Sequence, residues 1–426
     1  MPPDILSPTH WLRRVLRYRP GRLAWGTVSI GGGLLVQGGL QAAILVVLTR
    51  SMGVTEYGGF LAAVALVSLL APAAGMGCGF LLVRDTARER ACFPDAFGRG
   101  LSMLGITMLP LIAAALLVAW LVLPPQVPMA VMLLLGFSEL VFAPACELTA
   151  RAYQGFERSG RLTMFRTSLY AVRFAVLVAV AASRRLDMYS AALAYTGAAA
   201  AVSAVTLTVT VRELGVPRFH SQGIFAGLSD GFHFSVNYAA YRINSDVDKV
   251  MLSRLIGLET AGFVGAAFRL VQGLLLPVRA LLEAGYARLF NAGARGAAAS
   301  VNLSSKWLPV PLIFSALAGL GIFFGAGFAP LLFGPDFGGS AQVLRWFAPF
   351  PLVSTLHYWL DAILTTCNRQ RYVAIVMLMG AGVNVLLNLW WIPVYGWYGA
   401  VWAAYCSEAM IIALYSAALL RAMRAG

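Results

Sequence analysis

The sequence predicts an all-α integral membrane protein of about twelve transmembrane helices, on three observations. Its 426 residues are 59 % hydrophobic and only 12 % charged, with a mean hydropathy of +0.76, whereas soluble domains carry roughly a quarter charged residues. The apolar residues gather in runs of spanning length, roughly 20 residues each. Basic residues concentrate in alternate connections between those runs, as the positive-inside rule requires.

The elements follow in order. Residues 1–25 form a basic segment with Arg13, Arg14, Arg17, Arg19 and Arg22; the apolar run after it is too long for a signal-peptide core and reads as an uncleaved first helix. Charge, Pro and Gly clusters then divide the chain into expected spans 26–48, 57–83, 101–123, 129–148, 165–182 and 189–211, a basic linker at 212–226, spans 227–246, 261–284, 307–328, 343–366, 372–392 and 397–420, and a tail at 421–426. With the N-terminus inside, cytoplasmic segments hold 22 Lys or Arg and outer segments 6. Both termini are therefore expected in the cytoplasm. Of the 32 basic residues 30 are Arg, so where a charge falls says more than which base carries it.

The two halves resemble each other. LTRSMGVTEYGGFLAAVALV, from Leu48 to Val67, aligns without gaps on LSRLIGLETAGFVGAAFRLV, from Leu252 to Val271, with eight of twenty positions identical. Arg50 with Arg254, Gly53 with Gly257 and Gly58 with Gly262 share one register, offset by 204 residues or six spans. An even number of spans between copies makes a parallel repeat of two six-helix lobes, 26–211 and 227–420, a plan used for alternating access.

Polar groups inside a membrane are costly, so their placement carries information. In span 7, Asp230, His233, Asn237, Tyr241, Asn244 and Asp248 stay within about 60° on one helical face. Arg269, Gln272, Arg279 and Glu283 repeat the pattern in span 8, with Arg279 and Glu283 at i, i+4. Span 10 adds His357 and Asp361, span 11 Asn384 and Asn388, and span 4 Glu139 and Glu147. An Arg at mid-bilayer costs roughly 2.5 to 3.5 kcal/mol; Arg173, Arg269 and Arg279 therefore need a wet cavity or partners. The plain alternative is interhelical hydrogen bonds and ion pairs, such as Arg279 with Glu283 or Arg269 with Asp361. His233 beside Asp230, and His357 beside Asp361, have the make-up of proton-coupling pairs or of ordinary packing contacts.

Several chemistries lack their motifs. No G-x-x-x-x-G-K-[ST], H-E-x-x-H or G-x-S-x-G is present, so neither a nucleotide cofactor nor a catalytic residue is expected. Cys78, Cys92, Cys146, Cys367 and Cys406 show no C-x-x-C spacing and predict no disulfide framework or metal site. Asp246-Val-Asp248 spells D-x-D, which keeps a membrane glycosyltransferase as a remote alternative, against which stand the short loops.

DVDKVMLSRLIGLETAGFVGAAFRLVQGLLLPV, from Asp246 to Val278, and its first-lobe counterpart LTRSMGVTEYGGF resemble the polysaccharide-biosynthesis, O-antigen type (Wzx-like) flippases of the multidrug/oligosaccharidyl-lipid/polysaccharide exporter superfamily. The resemblance implies a V-shaped pair of six-helix bundles in the bacterial inner membrane that moves an undecaprenyl-pyrophosphate-linked oligosaccharide to the periplasmic leaflet for O-antigen, capsule or exopolysaccharide synthesis. It implies no enzyme activity, and polysaccharide polymerase and chain-length proteins as partners. On that reading Arg269, Arg279 and Arg173 would meet the pyrophosphate as bidentate donors, Asn237, Tyr241, Asn244 and Gln272 the sugars, and Asp230, His233, Asp248 or Asp361 a coupling ion. The membrane potential is the other energy source, since two negative charges moved outward gain roughly 4 to 5 kcal/mol per 100 mV. A lipid II flippase and an ion-coupled multidrug exporter of the same superfamily are the rival transporters; the Arg on the spans favours an anionic cargo over a cationic one.

Overall fold

The computed structural model describes residues 22–183, 186–219 and 228–424, save the side chains of 22–30, 228–234, 237, 283, 284 and 287. Among the described residues every element is helical. Among the described residues ten helices are long and apolar enough to cross a membrane. Large apolar side chains face outward along them, Phe324 at 77 % and Trp120 at 69 % exposure, which is stable only against lipid.

The first half comprises α1 (Arg22–Met52), α2 (Val54–Leu70), α3 (Cys78–Arg88), α4 (Phe93–Val122), α5 (Met129–Phe137), α6 (Ala143–Gly155), α7 (Ser159–Ser183) and α8 (Met188–Leu214). The second comprises α9 (Leu228–Leu255), α10 (Leu258–Leu274), α11 (Leu276–Gly293), α12 (Ala297–Ser304), α13 (Pro309–Gly325), α14 (Ala329–Phe333), α15 (Gly339–Phe347), α16 (Phe350–Thr366), α17 (Gln370–Tyr395) and α18 (Trp397–Arg424). Local chemistry sets several boundaries. Asp187 caps α8 in a reciprocal box, its carboxylate accepting from the Ser190 N–H at 2.8 Å while the Ser190 hydroxyl accepts from the Asp187 N–H at 3.1 Å. A π-turn at Ser138–Phe142 separates α5 from α6 inside one expected span, and such turns let a helix re-aim side chains.

Two of the twelve expected spans fall outside the set of ten. The seventh is α9, continuous over 28 residues but too polar, with Arg242, Asp246, Asp248, Lys249 and Arg254 along it. The tenth is broken at Ala348–Pro349 into α15 and the 17-residue α16, because proline has no N–H to continue the ladder. Both segments are helical where the sequence places them.

The repeat is visible in the backbone. Helices α2 and α10 are each 17 residues long, and both their starts and their ends are offset by 204. Gly53 and Gly257 precede them with φ of 79° and 137°, a region that favours glycine, which explains that identity between the copies. Each helix is interrupted at its end. Pro72 opens a bend at Ala71–Gly77 with non-helical residues from Ala74, and a break at Leu275 precedes Pro277.

The largest buried cluster unites the halves around these two helices and includes Met52, Tyr57, Leu61, Val264, Phe268, Phe337 and Phe347. Lipid is as apolar as leucine, so close packing rather than hydrophobic exclusion drives such contacts. Ala62, Ala63 and Ala65 of α2 and Ala261, Ala266 and Ala267 of α10 are buried to within 1 %, and their small size allows the approach.

Candidate functional site

Beyond the ends of α2 and α10 the halves separate around a cavity of about 800 Å³. Its first-half wall is built by the bend after α2, by α3, α6 and α7 and by Glu139 of the π-turn; α9, α11 and α16 supply the opposite wall. Five arginines, Arg151, Arg166, Arg173, Arg242 and Arg279, face three carboxylates, Glu139, Glu147 and Asp361, and five tyrosines, at 170, 238, 241, 286 and 358, line it with Gln37, Ser235 and His357.

The arginines differ in how they are held. Arg166 forks onto Glu147, Nε to Oε2 at 2.9 Å and Nη2 to Oε1 at 2.5 Å, and Arg151 Nε reaches the same Oε1 at 2.8 Å, so one carboxylate serves two guanidinium groups. Arg151 also lies 4.0 Å over the Phe80 ring. Arg173 is 2 % exposed; its Nη2 donates to Ser138 Oγ at 2.8 Å and Glu139 Oε1 at 2.5 Å, and its guanidinium stacks 3.7 Å from the Tyr195 ring. Arg242 donates to the Tyr238 hydroxyl at 2.7 Å and pairs with Asp246 at 3.5 Å. Arg279 is held by phenols: it donates to the hydroxyls of Tyr241 and, at 2.7 Å, Tyr358. Among the described residues no carboxylate pairs with it.

The sequence-predicted residues therefore divide. Arg279, Tyr241 and Asp361 line the cavity. Arg173 borders it, committed to Glu139. Arg269 is exposed on α10 and lines no part of it: ten residues before Arg279, roughly 15 Å back along the helix axis, it lies before the point where the cavity begins. The expected Arg279–Glu283 pair, and the side chains of Asp230, His233 and Asn237, lie outside the described residues. Arg242, off the span 7 stripe, is a cavity residue.

The described end of the stripe, from Tyr241 to Asp248, borders the interior of the second half. Asn244, Asp248 and Gln272 border a small polar pocket of about 20 Å³ with Asn384, Ser407 and Glu408, room for about one water. His357 Nδ1 meets Glu408 Oε2 at 2.5 Å rather than pairing with Asp361. Asp248 pairs with the fully buried Lys249 at 2.8 Å, whose ammonium lies 3.7 Å over the Phe268 ring, and among the described residues Asn244 Oδ1 has no hydrogen-bond partner. Tyr241, His357 and Tyr358 wall both spaces. As for D-x-D, Asp246 accepts from Ser68 Oγ of α2 at 3.1 Å while Asp248 turns to Lys249, and among the described residues no group of three or more His, Cys, Asp or Glu is placed to hold a metal.

Sequence reasoning missed Glu408, although a lone carboxylate in an apolar span is the signal that flagged others. Of the cavity tyrosines the polar stripe of span 7 marked Tyr241; the other four carried no distinguishing signal, since tyrosine packs equally well elsewhere.

The comparisons agree with this architecture. A solved inward-facing MATE family multidrug resistance transporter of the MOP superfamily superposes with a TM-score of 0.74 at 13 % identity, covering 94 % of this chain and 98 % of that one. An outward-facing MATE transporter gives 0.66 at 12 % identity, covering 96 % and 98 %. A MOP superfamily transporter from Pyrococcus furiosus, described by the reverse polarity of its binding pocket, gives 0.64 at 12 % identity, covering 94 % and 96 %. No curated protein sequence matches the chain. The family model of polysaccharide biosynthesis proteins matches residues 23–281. With that match over more than half its length, and with the fold of MOP superfamily transporters, the chain belongs to the polysaccharide biosynthesis protein family.

Proposed function

We propose that this transporter is a flippase that carries an undecaprenyl-pyrophosphate-linked oligosaccharide from the cytoplasmic to the periplasmic leaflet of a bacterial inner membrane by alternating access. The observation that carries the reading is Arg279, a cavity guanidinium satisfied by two phenols and so able to exchange them for phosphate oxygens, which accept stronger, charge-assisted bonds. Arg242 and the Arg151–Glu147–Arg166 cluster add positive potential. Tyrosines give saccharides apolar faces and hydroxyl partners.

Orientation follows from charge. The cavity lies towards the end where Arg158 and Arg295 sit in the connections and Arg161 and Arg288 in the adjoining helix turns, the end that the positive-inside rule assigns to the cytoplasm together with both termini. The His357–Glu408 pair, with Asp248 and Asp361 nearby, is the candidate ion-coupling group. Polysaccharide polymerase and chain-length proteins are the proposed partners downstream.

The deciding experiment is leaflet transfer in proteoliposomes of a fluorescent undecaprenyl-pyrophosphate oligosaccharide against lipid II and a cationic dye. Preferential transfer of the oligosaccharide is expected. Transport of the dye alone would replace this reading with drug export, which the structural likeness to multidrug transporters favours and the arginine-rich lining opposes.

A further inference from the structure

The halves touch through a contact that repeats itself. Gly58 and Gly262 are equivalent under the 204-residue offset, and so are Val54 and Leu258. A Cβ built on Gly58 would lie 1.8 Å from the Leu258 carbonyl oxygen, and one on Gly262 2.2 Å from the Val54 carbonyl oxygen. One clash is the image of the other, so α2 and α10 meet about a local pseudo-two-fold axis. Leu61 and Gly265, also offset by 204, face each other across it: a Cβ at Gly265 would lie 1.9 Å from Leu61 Cδ2.

The obstacles at Gly58 and Gly262 are carbonyls in the first turn of each helix, which cannot rotate away without breaking the helix that they begin. Gly293, Gly319 and Gly399 also meet backbone closely, against Thr366, Ala348 and Trp391, but those contacts lie within the second half and survive any rigid movement of one half against the other. No residue of α2 or α10 lines the cavity. It begins beyond their last turns, at Ala71 on one side and Arg279 on the other.

We infer that the Gly58–Gly262 contact is the closing device of the end opposite the cavity. Two missing side chains let the paired backbones seal that end while the other stands open, and the contact must part when the molecule opens the other way. The inference rests on the chain being a transporter and not on the identity of its cargo. Neither glycine has a positive φ, so alanine suits the helix itself and penalises only the docked state.

The test is hydrogen–deuterium exchange on the full chain in lipid nanodiscs, comparing wild type with Gly58→Ala, Gly262→Ala, Gly265→Ala and the control Gly273→Ala, whose Cβ meets nothing within 4 Å. In Gly58→Ala and in Gly262→Ala, exchange over 54–61 and 258–265 should rise about tenfold, the population change that about 1.4 kcal/mol of overpacking produces. Exchange over 71–80 and 279–286 should fall in the same variants as the cavity closes. Gly265→Ala should change less, because the Leu61 side-chain end can move aside, and Gly273→Ala should match wild type. Unchanged exchange over 54–61 and 258–265 overturns the inference, as does a rise there without a fall around the cavity, which marks loosening confined to the contact. The two principal variants report independently, so failure of one to insert leaves the other as the test.

Discussion

Replacing Arg279 by alanine removes the one cavity cation that no described carboxylate neutralises. In the cargo-free state the cost is modest. The hydroxyls of Tyr241 and Tyr358 each lose a charged donor, about 1.5 to 3 kcal/mol per bond, and much of this is regained because the cavity admits water. With a pyrophosphate bound, the loss is that of a desolvated charge pair, about 2 to 5 kcal/mol, or roughly 30-fold to several thousand-fold in affinity. Lysine at this position keeps the charge but loses the planar fork, so Arg279→Lys should fall between wild type and alanine. The assay is initial-rate leaflet transfer of the fluorescent lipid-linked oligosaccharide in proteoliposomes, with equal insertion verified for each variant. Arg269→Ala provides the internal contrast, because Arg269 lies outside the cavity, and should transfer at close to the wild-type rate. Wild-type transfer by Arg279→Ala, or equal losses in both variants, would refute the assignment of the phosphate site to Arg279.

Other expectations concern the remaining ion pairs. Arg173→Ala strands Glu139 against a wall from which the guanidinium, 2 % exposed, has gone; about 3 to 5 kcal/mol of stability should be lost, read as a lower thermal midpoint in detergent, and an unchanged midpoint would contradict a structural role. Glu147→Gln leaves Arg151 and Arg166 without their shared counter-charge, so it should tighten binding of inorganic pyrophosphate by calorimetry while lowering thermal stability; weaker binding would show that Glu147 organises the arginines rather than neutralising them. Glu408→Gln removes the carboxylate facing His357, and transfer should lose its response to an imposed pH gradient while still following an imposed potential. A retained pH response would take this pair out of coupling.

The sequence by itself determined the all-helical membrane class, ten of the expected spanning segments and the register of the repeat, because hydropathy, charge alternation and residue register are properties of short stretches of chain. It placed Gly53, Gly58, Gly257 and Gly262 in one register without a reason for them; for Gly58 and Gly262 the reason is a contact between helices about two hundred residues apart, and for Gly53 and Gly257 it is a positive φ before each helix. It also marked charged helices without fixing their rotation. Arg279 lies past the break at Leu275 and in the cavity while Arg269 lies before it, Asn244 and Asp248 of the span 7 stripe border the second half's small pocket while Arg242 lines the cavity, and His357 finds Glu408 at a separation of 51 residues. Which face of a helix meets water, lipid or a partner depends on where its neighbours pack. Only the tertiary structure decided which arginines are satisfied by carboxylates and which one, among the described residues, is held by hydroxyls.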